Sequence, residues 1–392
     1  MIAKNMKVMC VVGARPNFIK AAPVVEALRK WPGTQVRLIH TGQHHDQAMS
    51  KIFFEELGLP VPDIDLQVGS GSHGEQTGMI MIRLEAVLLQ ERPDLVIVFG
   101  DVNSTVAASL CAAKLGIRVA HVEAGLRSFD RSMPEELNRI VTDHLSDYLF
   151  VTERSGRENL LREGVSQDKI FLVGNVMVDT LLKHRERARG CGIREKLGLA
   201  MEPYGILTLH RPSNVDDPKT LEQILDTLNE VAKELPIIFP CHPRTRQQLD
   251  KSGSKYLTTF TTIKGGVKVI DPLGYMEFLS LMSEARLVLT DSGGIQEETT
   301  VLGIPCLTLR ENTERPVTIE QGTNVLVGTS PYRILAAATK ALNGRSPKGQ
   351  VPDLWDGNAA HRIADILQKK MASPTQYEQS LGLQSSVVAK DR

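Results

Sequence analysis

Short apolar runs alternate with amphipathic stretches along most of this chain, and that alternation restricts the fold more than any other feature. The candidate strands are Lys7–Val12, Val36–Thr41, Leu95–Phe99, Val119–Val122, Tyr148–Val151 and Ile170–Val173, with helical spacing between them over Pro16–Lys30, Glu75–Glu91 and Pro134–Leu145. The pattern restarts at Gly205–Leu209 and continues through Ile237–Phe239, Val267–Ile270, Leu287–Leu289, Cys306–Leu309 and Asn324–Val327. Strands that take turns with helices form parallel sheets covered on both faces. A chain of 392 residues exceeds what one ordinary core supports. The expectation is therefore an α/β protein of two doubly wound, Rossmann-like domains facing across a cleft, one over residues 1–176 and one over 177–356. Residues 357–370 are expected to form a helix that packs back on the N-terminal domain. Residues 371–392, rich in Ser and Gln, show no core-forming period and are expected to be disordered.

Charge and composition remove several functions. Lys+Arg and Asp+Glu are equal at 46 each, so no basic surplus favours nucleic acid or an anionic membrane. An anionic ligand must then be met by a few placed residues. No apolar run reaches the ~20 residues of a membrane span, and "MIAKNMKVMCVVGARP" runs into a strand without a cleavage site, which reads as cytoplasmic. The five cysteines (Cys10, Cys111, Cys191, Cys241, Cys306) show no disulfide framework or metal spacing and read as reduced, mostly buried thiols.

In doubly wound folds ligands sit at the carboxyl ends of the strands, and those positions are polar here. They include Gly13-Ala14-Arg15, Gly100-Asp101, Glu123, His210-Arg211, His242 and Asp291-Ser292-Gly293-Gly294. The last of these leads from an apolar run into a helix, the arrangement that presents backbone N–H groups to a phosphate, although an ordinary turn uses the same residues. "VVGARPNF" has one glycine where a dinucleotide fingerprint needs three, and no P-loop occurs. No cofactor is expected. His44-His45-Asp46 and His242 lack a ligand framework, so no metal is expected either. Asp101 and Glu123 stand out because each closes an apolar strand where no cap requires an acid.

The segments "GARPNFIKAAP", "GD" at Gly100-Asp101, "HVEAGLRS", "MPEELNR", "VGN", "TLHRPSN", "DSGGIQEE", "LGIPCLTLR" and "TERP" follow one another in a recognisable order. The chain resembles the non-hydrolysing UDP-N-acetylglucosamine 2-epimerases over Lys7 to about Lys370. The resemblance implies the two-domain GT-B architecture, a UDP-sugar substrate and a homodimer. It assigns the diphosphate to Ser292, Gly293 and Gly294, and the ribose to Glu298. The acid/base set it implies is Asp101, Glu123 and Glu135, with His210, Arg15 and Arg315 stabilising the departing UDP. Lys20, Arg139, Leu273 and Phe278 complete the implied substrate contacts. Such an enzyme expels UDP from C1 as C2 is deprotonated, passes through a glycal, and re-adds UDP after protonation of the opposite face.

Two points stay open. Family members activated by a second UDP-N-acetylglucosamine use a basic residue in the loop that reads "VGSGSHGEQTG" here, which lacks an arginine. Gln43, Gln47 and His242 match the other contacts of that allosteric site. "GSGSHGEQTG" and "SFDRSMPEELNRI" also resemble the branch acting on UDP-2,3-diacetamido uronic acids, whose carboxylate Arg131 or Arg211 would meet. A GT-B glycosyltransferase and a nucleotide-sugar-binding regulator without turnover are the remaining alternatives.

Overall fold

The computed structural model describes residues 6–43, 54–199, 202–252, 254, 256 and 266–372. Two parallel sheets organise them. The first contains β1 (Met6–Val12), β2 (Thr34–His40), β3 (Ile64–Asp65), β4 (Leu95–Phe99), β5 (Arg118–Ala124), β6 (Tyr148–Val151) and β7 (Ile170–Leu172), ordered β3-β2-β1-β4-β5-β6-β7. The second contains β8 (Gly205–Thr208), β9 (Ile237–Pro240), β10 (Val267–Ile270), β11 (Leu287–Thr290), β12 (Cys306–Thr308) and β13 (Asn324–Leu326), ordered β10-β9-β8-β11-β12-β13. Leu95 to Phe99 has no exposed residue, which is why this strand reads as an unbroken apolar run rather than an alternating one. Strand β3, with only two residues, carries no period and escaped the sequence reading.

Strand order reverses where β1 separates β2 from β4, and again where β8 separates β9 from β11. Crevices form at such points. The polar residues singled out from the sequence lie at the carboxyl ends of β1, β4, β5, β8, β9 and β11, so both crevices carry them.

The chain crosses between the two sheets twice, at neighbouring places. In the first crossing Asn175 caps the helix Val176–Arg189, its Oδ1 accepting from the Met177 N–H at 2.9 Å. This helix packs on Arg15–Arg29 beside the first sheet, and on Tyr275–Ser283 and Gly293–Leu302 beside the second. In the return crossing Trp355 donates from Nε1 to the Thr152 carbonyl at 3.0 Å, and Arg362 donates to the Val173 carbonyl at 3.0 Å. Asp179, within the first crossing's helix, accepts from the N–H groups of Ala359 and Ala360 at 3.1 and 2.7 Å. The final helix, Ala359–Ala372, then packs on Arg15–Arg29. The expected tail falls almost wholly on residues 373–392, outside those described.

Candidate active site

On the first sheet, Asn17 ties the end of β1 to the end of β4. Its Oδ1 accepts from the N–H groups of Gly13 and Ala14 at 3.0 and 3.1 Å, and its Nδ2 donates to the Phe99 carbonyl at 2.8 Å. One turn later the buried Lys20 places Nζ 2.5 Å from Oε2 of Glu123. Gly100 lets it through: its φ of +62° suits glycine, and an added Cβ would stand 2.9 Å from that ammonium. Glu123 has a φ of +77° at a break in register between Val122 and Ala124. A side chain costs about 1–3 kcal/mol in that conformation, so the surrounding structure must hold it there.

Arg139 is buried and pairs with Asp101, while its Nε and Nη2 donate to Glu136 at 3.0 and 2.7 Å. Burial alone would raise the Asp101 carboxyl, but Arg139, Lys20 and Arg315 outweigh it and hold it below the usual range. Glu135 is half-buried, with Oε1 3.8 Å from Nη1 of Arg211, a residue of the second sheet's side.

On the second sheet, Asp291 closes β11 and is fully buried. It lies 2.8 Å from Nδ1 of His210 and accepts from the N–H groups of His210 and Arg211 at 3.0 and 2.9 Å. Burial would raise this carboxyl, but His210 and those N–H groups win and keep it low. With Nδ1 engaged, Nε2 is the His210 nitrogen left for a ligand. His242 lies alongside, the two ring centroids 6.4 Å apart.

Ser292 precedes the helix Gly293–Leu302. A Cβ on Gly293 would lie 2.9 Å from Oε1 of Glu314 and 2.7 Å from Cζ of Arg315, and one on Gly294 would lie 2.9 Å from Cε of Met177. A side chain at Gly293 would run into the buried Arg315 and Glu314, and one at Gly294 would push the Met177 tip aside; the first N–H groups of the helix lie here, the kind of donors that suit an anion. Further along, Glu298 accepts from the Tyr275 hydroxyl at 3.0 Å. Burial pushes its carboxyl up to about 7, with Tyr275 and Arg15 opposing and Glu297 adding. Arg15 itself donates from Nη2 to the Leu273 carbonyl at 3.2 Å, so a first-sheet residue reaches the second unit beside Glu298. Phe278 lies partly buried in the helix Tyr275–Ser283.

Arg315 joins the two halves. Its Nη2 is 3.1 Å from Oε1 of Glu123, its Nη1 is 2.5 Å from Oε1 of Glu314, and its Nε is 2.9 Å from Oε1 of Glu297. The contact to Glu297 has ion-pair distance without hydrogen-bond alignment. Burial pushes Glu297 up to about 7, only partly offset by Arg315. Glu314 goes the other way despite burial, held well below its ordinary value by Arg315, Arg310, Arg139 and Arg211.

Residues 26–368 match the family model described as UDP-N-acetylglucosamine 2-epimerase. The chain belongs to that family. It is 46% identical over 373 residues to the UDP-N-acetylglucosamine 2-epimerase of Methanocaldococcus jannaschii, covering 92% of this chain and 99% of the relative. It is 43% identical over 368 residues to the UDP-2,3-diacetamido-2,3-dideoxy-D-glucuronate 2-epimerase of Pseudomonas aeruginosa, covering 93% and 100%. A crystal structure of the M. jannaschii UDP-GlcNAc 2-epimerase in complex with UDP-GlcNAc and UDP superposes with a TM-score of 0.86 at 45% identity, covering 93% of this chain and all of that one. The two doubly wound sheets are thus the GT-B arrangement of these epimerases.

Within this epimerase-family chain, ion pairs or hydrogen bonds join Lys20, Glu123 and Arg315, Asp101 and Arg139, and Arg15 and Leu273. Gln43 accepts through its Oε1 from the Ser104 hydroxyl at 2.6 Å and the Ser104 N–H at 3.1 Å. Gln47 and His44-His45-Asp46 lie outside the described residues. Arg131 is exposed in its loop, whereas Arg211 stands between Glu135 and Glu314. From the sequence Asp291 has no role apart from its motif, whereas in the structure it orients His210. The signal was present, since Asp291 closes an apolar strand as Asp101 does.

Proposed function

We propose that the chain inverts C2 of a UDP-N-acetylhexosamine without hydrolysis, interconverting UDP-GlcNAc and UDP-ManNAc. The contact between Glu123 and Arg315 carries this reading. It sets a carboxylate able to take the C2 proton against a guanidinium able to hold the departing diphosphate, so both events occur in one cleft.

Ser292, Gly293 and Gly294 hold the diphosphate, Glu298 the ribose hydroxyls, and Arg15 and Arg315 the phosphate charge. As the C1–O bond breaks, its electron pair leaves with UDP, and a carboxylate takes the proton from C2, giving the C1=C2 bond of a 2-acetamidoglucal. A carboxyl group on the opposite face returns a proton to C2 while the UDP oxygen rebonds to C1. Asp101, Glu123 and Glu135 form the acid/base set. The Lys20 ammonium pairs with the Glu123 carboxylate, and Arg139 helps to hold Asp101 ionised. His210, oriented by Asp291, stabilises the leaving oxygen through Nε2. Leu273 and Phe278 shape the wall on the nucleotide side.

Incubation with UDP-GlcNAc in D2O tests the reading: deuterium enters C2, whereas a glycosyltransferase leaves that carbon unlabelled. A second reading, epimerisation of a UDP-2,3-diacetamido glucuronate, is favoured by the position of Arg211 beside Glu135, where a guanidinium could face a substrate carboxylate. The same proposal takes residues 1–176 and 177–356 as units that close about Asn175. No described helix is long and apolar enough to cross a membrane. We take the protein as a cytoplasmic homodimer that supplies an activated sugar for cell-surface polysaccharide. The exposed Ile82 and Leu89, seven residues apart on the helix His73–Glu91, support a self-interface. Gln43 and His242 remain the candidate contacts for a second UDP-GlcNAc.

A further inference from the structure

Beneath the acid/base residues lies a buried polar chain for which the proposed chemistry has no task. His121 lies within β5 and is fully buried. Its Nδ1 is 2.7 Å from Oδ1 of Asp143, and its Nε2 is 2.8 Å from the carbonyl oxygen of Gly100. A carbonyl can only accept, and Asp143 is held below the ordinary carboxylate range by His121 and Arg127 in spite of its burial. Both ring nitrogens therefore donate.

Asp143, also buried, uses its other oxygen to accept from the Gly125 N–H at 3.1 Å and from Nη1 of Arg127 at 2.7 Å. Arg127 in turn donates from Nε and Nη2 to Glu163 at 2.8 and 2.7 Å. The consequence is geometric. Gly100 immediately precedes Asp101, and Gly125 follows Glu123 by two residues, so one carboxylate holds both turns, directly at Gly125 and through His121 at Gly100. Glu123, left-handed at the register break of β5, lies between the paired Val122 and the tethered Gly125.

We infer that His121 and Asp143 are positioning residues that fix Asp101 and Glu123 relative to one another without touching the substrate. This rests on the epimerase reading above. Such a pair affects the proton-transfer step, which is sensitive to displacements of about 1 Å, and leaves UDP binding on the second sheet unchanged.

Replacing His121 with Phe keeps a ring and removes both donors. We expect His121→Phe to lower kcat for C2 epimerisation, and deuterium entry at C2, about 100-fold. The dissociation constant for UDP, measured by calorimetry, should stay within about threefold. The double variant His121→Gln/Asp143→Asn can rebuild the chain with neutral amides: Gln Nε2 to the Gly100 carbonyl, Asn Nδ2 to Gln Oε1, and Asn Oδ1 to the Gly125 N–H. It should recover kcat at least tenfold over His121→Gln alone. This comparison also decides the matter if His121→Phe fails to fold. Unchanged kcat in His121→Phe, equal losses of kcat and UDP affinity, or no recovery in the double variant would overturn the inference. Failure of the wild-type protein to label C2 would instead overturn the epimerase reading itself.

Discussion

The carboxylates beside the ends of β4 and β5 and those of the helix Gly293–Leu302 carry their charge in opposite ways. Beside the ends of β4 and β5, Asp101 and Glu136 meet Arg139, and Asp143 meets Arg127 and the His121 ring. All three are held below the usual carboxylate range although burial acts against them. In the helix Gly293–Leu302, by contrast, burial raises Glu297 and Glu298 to about 7. Each of these three carboxylates has its partner before any ligand arrives, and Asp101 starts ionised and fixed. Charge in the helix is unfinished. A diphosphate that draws on Arg315 and Arg15, and ribose hydroxyls that reach Glu298, change the surroundings of Glu297 and Glu298 directly.

The sharpest test of this contrast is the removal of one charge beside the ends of β4 and β5. Glu123→Gln leaves Lys20 and Arg315 without their shared carboxylate, and C2 hydrogen exchange should fall about 10²- to 10⁴-fold, the usual loss for a general base. Normal exchange measured by mass spectrometry would take Glu123 out of the acid/base set. On the other side, His210→Asn should slow turnover about 10²- to 10³-fold, as expected when a group stabilising a leaving oxygen is lost. Free UDP and 2-acetamidoglucal should then appear in the products, detected by chromatography.

Substrate choice gives a smaller effect. The ratio of kcat/KM for UDP-GlcNAc over the diacetamido uronate should be tenfold or more, equal to about 1.4 kcal/mol of transition-state binding. A ratio favouring the uronate would mean that Arg211 serves a substrate carboxylate.

The smallest effect is on stability against pH. A carboxyl raised to about 7 in the folded protein, against 4.5 ordinarily, stabilises the ligand-free fold at low pH, and that stabilisation is lost as pH rises through 7. His184, pushed down to about 4 by burial, contributes with the opposite sign, but only below its ordinary 6.5. Between pH 6.5 and 8.5, then, the ligand-free wild type should lose a few degrees of Tm relative to Glu298→Gln, measured by scanning calorimetry. Parallel curves for the two proteins would show that Glu298 does not titrate in that window.

Much of this was legible in the chain itself. An unbroken run such as Leu95–Phe99 announces a doubly covered parallel strand, and an acid that ends such a run, as Asp101 and Glu123 do, has no structural reason to be there. The rest was illegible for a physical reason. Glu123 and Arg315 are 192 positions apart, and only the closing of two sheets makes them neighbours. The sequence shows Glu314 as a charge in a polar loop, whereas the fold surrounds it with four guanidinium groups. His121 was hidden by its company, a polar residue inside "VAHVEA" whose partners come from Gly100 and from the helix Pro134–Leu145.

The double passage of the chain between the sheets has a mechanical meaning. A panel joined by one flexible tether can tilt in any direction, but a panel hung on two adjacent pins swings about a single line. Asp179 and the Arg362 contact to Val173 fasten the two passages side by side, so the line runs through them. In the closure about Asn175 proposed above, the arms that reach across are Arg15 toward Leu273 and Arg315 toward Glu123, two contacts that one rotation would make or break together.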